Sequence, residues 1–244
     1  MANDKLQKME APGALAVPDY VKTGDARGHE GIEQGDLILP RLAVAQPTSP
    51  ELTKGDPKHI QGLTAGDLFN TVTRESYGEG PVRVIIVRRE KRRAMEFNPI
   101  SEGGGIKDRD VALTDPRCAF GPDGEPPVAT EFREYVAFLA DTYEPIALSF
   151  KGTSLNSAKM LNTLLEMPVK GQQVAYFAKV FGITAALKKN DKGSFYVFGV
   201  SQLGYADETA YNLGAQTYEN MKGRALALDE SADDASDSTE KAPF

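Results

Sequence analysis

Short apolar runs rich in β-branched residues recur along the chain between stretches rich in Gly and Pro, a pattern typical of strands joined by turns. In the clearest run, 81–88, β-branched residues fill the middle. Similar runs predict further strands over 36–45, 66–73, 94–97, 131–140, 145–151, 173–188 and 194–203. Residues 189–193 have the composition of a hairpin turn and join the last two strands.

Two helices are predicted among these strands. Thr153 or Ser154 can cap the first helix, which Pro168 ends, and the second spans 207–227. One helix therefore falls between strands and the other follows them, which argues against alternating βαβ units. The predicted fold is mainly β with two helices (α+β), an OB-like (oligonucleotide-binding) antiparallel barrel with long loop insertions. The longest predicted loop, 98–129, is rich in Pro and Gly.

Composition divides the chain into three parts. Residues 1–34 are polar with several Gly and Pro, and predict a flexible N-terminal arm. Residues 229–244 carry six acidic residues and one lysine, which accounts for most of the chain's net charge of −7. This segment has too few apolar residues to offset its ordering entropy and predicts a disordered acidic tail. The residues between these two parts, 35–228, are predicted to form one OB-like nucleic-acid-binding domain. This length is sufficient to bury a core.

Signals for enzyme chemistry are poor. The two histidines, His29 and His59, lie in polar Gly- and Pro-rich sequence, and the single Cys118 gives neither a disulfide nor zinc-ligand spacing. No phosphate-binding loop motif is present, and no apolar run approaches the ~18 residues that a membrane span requires. We therefore expect no catalytic residues, no cofactor, no metal and no membrane contact. Asp108 and Asp110 remain an alternative, as Mg²⁺ ligands of a nuclease.

Cationic residues in two places are candidates for contacts with DNA phosphates. The first group falls within eleven residues opposed only by Glu90, and comprises Arg83, Arg88, Arg89, Lys91, Arg92 and Arg93. The second lies at and around the predicted hairpin turn, and comprises Lys179, Lys188, Lys189 and Lys192. A basic groove of this kind is one requirement for binding single-stranded DNA. The alternative is that these charges are solvated at hairpin tips and prevent edge aggregation.

Aromatic faces on which bases stack are the second requirement. Six aromatic residues lie on the last predicted hairpin: Tyr176, Phe177, Phe181, Phe195, Tyr196 and Phe198. Because neighbouring strand residues face opposite sides, two adjacent aromatics cannot both be buried inside one barrel. Tyr176 and Tyr196 are predicted to face DNA, since a hydroxyl tolerates water. Packing against a helix is the alternative.

The acidic tail ends in a Phe preceded by Pro, whose ring and α-carboxylate form a small anchor for a basic-rimmed apolar pocket on another protein. The predicted partner-binding residues are Asp233, Asp234, Asp237, Pro243 and Phe244. The alternative is a solubilising tail. This ending resembles the C-terminal tails of single-stranded DNA-binding proteins, the phage type in particular. The resemblance implies that the tail recruits replication and repair enzymes and competes with DNA for the basic groove.

A second resemblance covers about residues 36–98. The segments 37–42, 48–51 and 65–70 look like a pattern found in uncharacterised and replication-associated phage proteins. This resemblance implies a phage or prophage protein of DNA metabolism. Together with the basic and aromatic residues, it leads us to expect a sequence-nonspecific single-stranded DNA-binding protein of phage DNA replication and recombination, located in the cytoplasm of the bacterial host. Its expected partners are single-stranded DNA and replication or recombination proteins, and a homo-oligomer is left open. The alternatives are a virion or assembly protein with a regulatory tail, and a nuclease or annealing factor.

Overall fold

One sheet of ten strands and two α-helices make up the described part of the computed structural model, residues 38–99, 103–190 and 193–222. The strands are β1 (Arg41–Val44), β2 (Leu68–Asn70), β3 (Ser76–Gly78), β4 (Val82–Arg89), β5 (Arg93–Phe97), β6 (Ile106–Val111), β7 (Ala129–Leu139), β8 (Pro145–Lys151), β9 (Lys179–Asn190) and β10 (Gly193–Tyr205). The helices are α1 (Leu155–Glu166), between β8 and β9, and α2 (Glu208–Met221), after β10. The predicted arm, 1–34, and acidic tail, 229–244, lie outside the described residues.

The strand order is that of an OB-like sheet with additions at its edges. The main path runs β10-β9-β4-β7-β8-β1-β2-β3, while β5 pairs with β7 and β6 with β5. All pairs are antiparallel except β1 with β8. Strands β4, β7, β8, β9 and β10, with α1 between the third and fourth of them, form the curled, half-open barrel. The predicted fold class, mainly β with two helices and OB-like, is confirmed.

The prediction of one long loop over 98–129 is wrong in part, because this range contains β6 and a 3₁₀ turn at Pro116–Cys118. The sequence of β6, IKDRDV, lacks apolar alternation because most of its residues are exposed or half-buried. It pairs with β5 alone. A strand of this kind gives no hydrophobic period from which it could be predicted.

Strand β4 lies at the centre of the domain and is buried on both faces. Its Val84 and Ile86 belong to the main core with α1, whereas Ile85 and Val87 belong to a second cluster with α2. A strand covered on both sides is apolar at successive positions rather than at every second one. This explains the unbroken β-branched run that made the strand conspicuous in the sequence.

Helix α2 approaches the sheet closely at a glycine. The Cβ atom of any other residue at position 214 would lie 2.5 Å from Cβ of Phe177, so Gly214 is what allows the helix to pack against that side chain. The Phe177 ring also meets Tyr211 edge-on at 5.1 Å. Asp207 caps the helix by accepting a hydrogen bond from the Ala210 N–H at 2.8 Å. Phe177 is thus an aromatic that packs against a helix, the alternative raised for the hairpin aromatics.

At one residue, the free edge of β10 forms hydrogen bonds with a side chain rather than with another strand. The Gln46 amide donates to the Tyr196 carbonyl and accepts from the Tyr196 N–H, both at 2.8 Å. The Tyr196 ring packs over Gly66, where an added Cβ would lie 2.6 Å from the ring. The segment after β1 is therefore joined to the last strand, which protects part of an otherwise open edge.

The C-terminus of α1 is completed by a buried lysine. Lys179 is only 1% exposed, and its Nζ donates to the carbonyls of Leu164, Leu165 and Met167 at 2.7, 3.0 and 2.7 Å. Carbonyls at a helix C-terminus have no partner within the helix, and a cation there also opposes the negative end of the helix dipole. Burial lowers the pKa of this ammonium group. Lys179 thereby fixes the first residue of β9 to α1.

We predict that Lys179→Met lowers the free energy of unfolding by about 2 kcal/mol, because three buried carbonyls lose their donor. The matched control is Lys188→Met on the same strand, where the side chain is exposed and the change should be close to neutral. Urea denaturation of both variants measures the difference. Equal midpoints for the two variants would contradict the structural role of Lys179.

Candidate nucleic-acid interface

Four of the six clustered cations predicted to bind DNA, among them Arg92, make side-chain hydrogen bonds or ion pairs within the fold. Arg83 pairs with Asp141 at 2.6 Å near the start of β4, where both side chains are more than half exposed. Arg88 donates to the Met221 carbonyl at the end of α2 and to Glu90. Arg93 binds Glu134 through two nitrogens, at 2.8 and 3.0 Å.

Glu134 explains why Arg93 is held inside the fold. This carboxylate is 2% exposed and also accepts from Arg41, at 3.3 Å, and from the Ser149 hydroxyl. A buried carboxylate requires such partners, because an unpaired buried charge costs several kcal/mol. The Arg93 guanidinium also lies 5.5 Å from the centroid of the Phe132 ring. Arg93 is therefore a structural side chain in this conformation.

Three of the six predicted cations, Arg89, Lys91 and Arg92, are exposed where β4 ends and the chain turns into β5. Arg92 donates through Nε to Glu131 at 2.8 Å. Within the described part of the chain, the side chains of Arg89 and Lys91 make no hydrogen bond or ion pair. This end of β4 therefore presents cations whose hydrogen-bonding capacity is open to a ligand.

A cleft of about 140 Å³ lies beside these cations and is lined by Arg89, Glu90, Arg92, Arg133 and Asn162. A single water molecule occupies ~30 Å³, so the cleft has room for a larger group. Arg133 comes from β7, where it pairs in register with Phe150 of the main core, and Asn162 comes from α1. Neither residue was predicted from the sequence.

Glu131 aligns two of the three arginines in the cleft. Its Oε1 accepts from Nε of Arg92 at 2.8 Å and from Nε of Arg133 at 2.9 Å. Both bonds use the inner nitrogen of the guanidinium group. Across the ranges that the structure describes, the terminal nitrogens Nη1 and Nη2 of Arg92 and Arg133 make no hydrogen bond. The carboxylate thus orients two guanidinium groups without occupying their outer edges.

Tyr135 fixes a further side chain of the cleft, Asn162. Its buried hydroxyl donates to Oδ1 of Asn162 at 2.8 Å, and the Asn162 NH₂ group makes no hydrogen bond among the described residues. Burial raises the pKa of Tyr135, while the nearby cations Arg89 and Arg133 oppose that rise. The hydroxyl therefore stays protonated at neutral pH and keeps the amide in one orientation.

Tyr176 lies near the cleft but not on a strand as predicted. It begins a 3₁₀ turn, Tyr176–Ala178, and β9 starts only at Lys179. Its hydroxyl donates to Glu166 at 2.6 Å, and this bond together with burial raises its pKa to about 12, against an opposing effect of Arg89. Half-buried against the main core, Tyr176 presents only part of its ring to a ligand.

The second predicted basic group is split. Lys179, buried beneath α1, does not belong to an exposed surface, which corrects its assignment as a DNA contact. Lys188 and Lys189 are exposed on the β9–β10 ribbon, and Tyr196 lies on the same ribbon, half-buried over Gly66. Strand β9 meets β4 only over Val180–Ile183 and runs antiparallel to it. Lys188 and Arg89 therefore lie in opposite directions from that pairing.

Of the acid pair considered for Mg²⁺, Asp108 is already engaged. Asp108 on β6 accepts from the Asp110 N–H at 3.2 Å and from Arg117 at 3.0 Å, and these bonds lower its pKa. Arg117 also binds Glu96 and Asp115 at 2.7 and 2.9 Å. No group of three or more His, Cys, Asp or Glu side chains suited to a metal ion occurs in the described ranges.

The predicted tail residues Asp233, Asp234, Asp237, Pro243 and Phe244 lie outside the described residues. In the part of the chain that the structure describes, neither α1 nor α2 is long and apolar enough to cross a membrane.

Comparison with known proteins gives one match. No curated protein and no solved structure matches the chain. A family model described as Pam3 phage gp34-like protein matches residues 8–227, which include every strand and helix described above. The chain belongs to the Pam3 phage gp34-like protein family.

Proposed function

We propose that this phage protein binds single-stranded DNA without sequence specificity and acts in phage DNA replication or recombination, in the cytoplasm of the bacterial host. The observation that carries the proposal is the cleft at the end of β4, where Arg89, Arg92 and Arg133 converge. Guanidinium groups with free terminal nitrogens match phosphate oxygens in charge and geometry. A fold with these donors at one end of a central strand is suited to hold a phosphate backbone.

The position of the basic residues in the fold supports the same proposal. OB-folds bind oligonucleotides with the loop between their first and second strands and the loop between their fourth and fifth. In this chain the corresponding connections are β4 to β7, which carries Lys91 and Arg92, and β9 to β10, next to Lys188 and Lys189. A strand of DNA extending between the two loops would pass from one basic group to the other.

Base stacking is assigned to the two predicted tyrosines. Tyr176 lies beside the Arg89 end of the interface and Tyr196 on the ribbon at the other end. Both rings are partly exposed and both are held in place, Tyr176 by Glu166 and Tyr196 by its contact with Gly66. A ring that is already fixed loses little conformational entropy when a base stacks on it.

The acidic tail is proposed to regulate access to this interface and to recruit replication or recombination proteins through Phe244. Its net negative charge is complementary to the three arginines, so the tail and DNA would compete for the same cations. The terminal Pro243–Phe244 pair adds an apolar anchor that the competition itself does not require.

We predict that the protein binds fluorescent poly-dT more tightly than a duplex of equal length, without added metal or nucleotide. Affinity should fall steeply between a low and a high salt concentration, because phosphate contacts release counterions. Fluorescence anisotropy at both salt concentrations measures each affinity. Equal affinity for single strand and duplex, or binding to neither, would refute the proposed function.

Deletion of residues 229–244 is predicted to tighten poly-dT binding at low salt and to have a smaller effect at high salt, where charge interactions are screened. Deletion of Phe244 alone removes no side-chain charge and should leave DNA affinity almost unchanged, while capture of a replication protein from host lysate is lost. If deletion of residues 229–244 leaves the affinity for poly-dT unchanged at every salt concentration, competition between the tail and DNA is contradicted. Identical capture with and without Phe244 would contradict recruitment.

A further inference from the structure

We propose that the cleft formed by Arg89, Arg92, Arg133 and Asn162 binds one terminal phosphomonoester, the phosphate at the end of a DNA strand, in preference to an internal phosphodiester. The DNA context of this inference rests on the proposed function. The chemistry of the cleft itself does not.

The cleft has more donor groups than an internal phosphate has non-bridging oxygens. Because Glu131 binds only the Nε atoms of Arg92 and Arg133, which both line the cleft, the two terminal nitrogens of each guanidinium have no hydrogen-bond partner among the described residues. Arg89 adds its whole guanidinium group, and Asn162 adds an NH₂ group. An internal phosphodiester offers two non-bridging oxygens, whereas a terminal phosphate offers three.

The net charge of the cleft also favours a terminal phosphate. Arg89, Arg92 and Arg133 contribute three positive charges, and Glu131 offsets one of them. Glu90, the other carboxylate of the lining, is already paired with Arg88 at 2.5 Å. The remaining charge of about +2 balances the charge of a terminal phosphate, which is −1.5 to −2 near neutral pH. It exceeds in magnitude the single negative charge of a diester.

The cleft is also preorganised, as a specific subsite requires. Arg133 is only 14% exposed and is fixed by β7, while Asn162 is fixed by the hydroxyl of the fully buried Tyr135. Glu131 and the Tyr135 hydroxyl therefore hold three of the four donor side chains, Arg92, Arg133 and Asn162, before a ligand arrives. A rigid set of donors favours the ligand whose oxygens match it over one that fills only part of it.

The experiment compares short oligo-dT strands that carry a 5′-phosphate, a 3′-phosphate or only hydroxyl ends. We expect about tenfold tighter binding for at least one phosphorylated strand than for the hydroxyl strand. The two phosphorylated strands show which end the cleft takes. Thymidine 5′-monophosphate and inorganic phosphate serve as probes without a DNA backbone.

Asn162→Asp is the variant that tests the cleft, because its carboxylate keeps the acceptor for Tyr135 but replaces the NH₂ donor with negative charge. It should abolish the preference for the phosphorylated strand. Asn156→Asp is the matched control: it makes the same charge change on an exposed position of the same helix and should keep the preference. The readout is a ratio of two affinities from one preparation, so a loss of folded protein does not affect it.

Equal affinity for phosphorylated and hydroxyl strands in the unsubstituted protein would overturn the inference while leaving single-stranded DNA binding intact. Failure of every strand to bind would refute the proposed function. If thymidine 5′-monophosphate then still binds, and Asn162→Asp abolishes that binding while Asn156→Asp does not, the phosphomonoester site stands without the DNA function. A preference that survives Asn162→Asp would place the phosphate elsewhere and refute the assignment of this cleft.

Discussion

Burial of β4 on both faces is the constraint from which the arrangement of charges follows. Val84 and Ile86 face the main core and Ile85 and Val87 face the cluster beneath α2, so the middle of the strand has no place for a charged side chain. Cations encoded in and beside this strand are confined to its ends. One end holds Arg83, and the other ends at Arg89 and continues into the turn that carries Lys91 and Arg92.

Pairing with carboxylates then determines which of these cations remain available to a ligand. Glu134 is buried and takes up Arg93, and Glu90 together with the end of α2 takes up Arg88. Glu131 acts differently, because it binds two arginines by their inner nitrogens and leaves their outer edges open. The same type of interaction thus stabilises the fold at one carboxylate and prepares a ligand site at another.

The sequence predicted the sheet because the strands that build it are apolar on one or both faces, β4 most clearly. It also located the cations at the end of β4, because they are adjacent in the chain. It could not separate structural from available arginines, since that depends on carboxylates such as Glu134 that meet them only after the strands pair. Arg133 gave a weak signal, as a charged residue that shares the strand face of Tyr135 in β7. Asn162 gave none, because only the packing of α1 brings it to the cleft.

The most direct test of the account is the salt dependence of poly-dT binding in two variants of the same strand, Arg89→Gln and Arg83→Gln. Both remove one exposed arginine from β4, but Arg83 is paired with Asp141 and Arg89 has no partner among the described residues. If the end of β4 holds the phosphate backbone, Arg89→Gln weakens binding and reduces the slope of log affinity against log salt by ~0.7, the value for one phosphate contact on a single strand. Arg83→Gln should leave the slope unchanged. An unaltered slope in Arg89→Gln, or equal changes in both variants, would contradict the claim that the end of β4 holds the phosphate backbone.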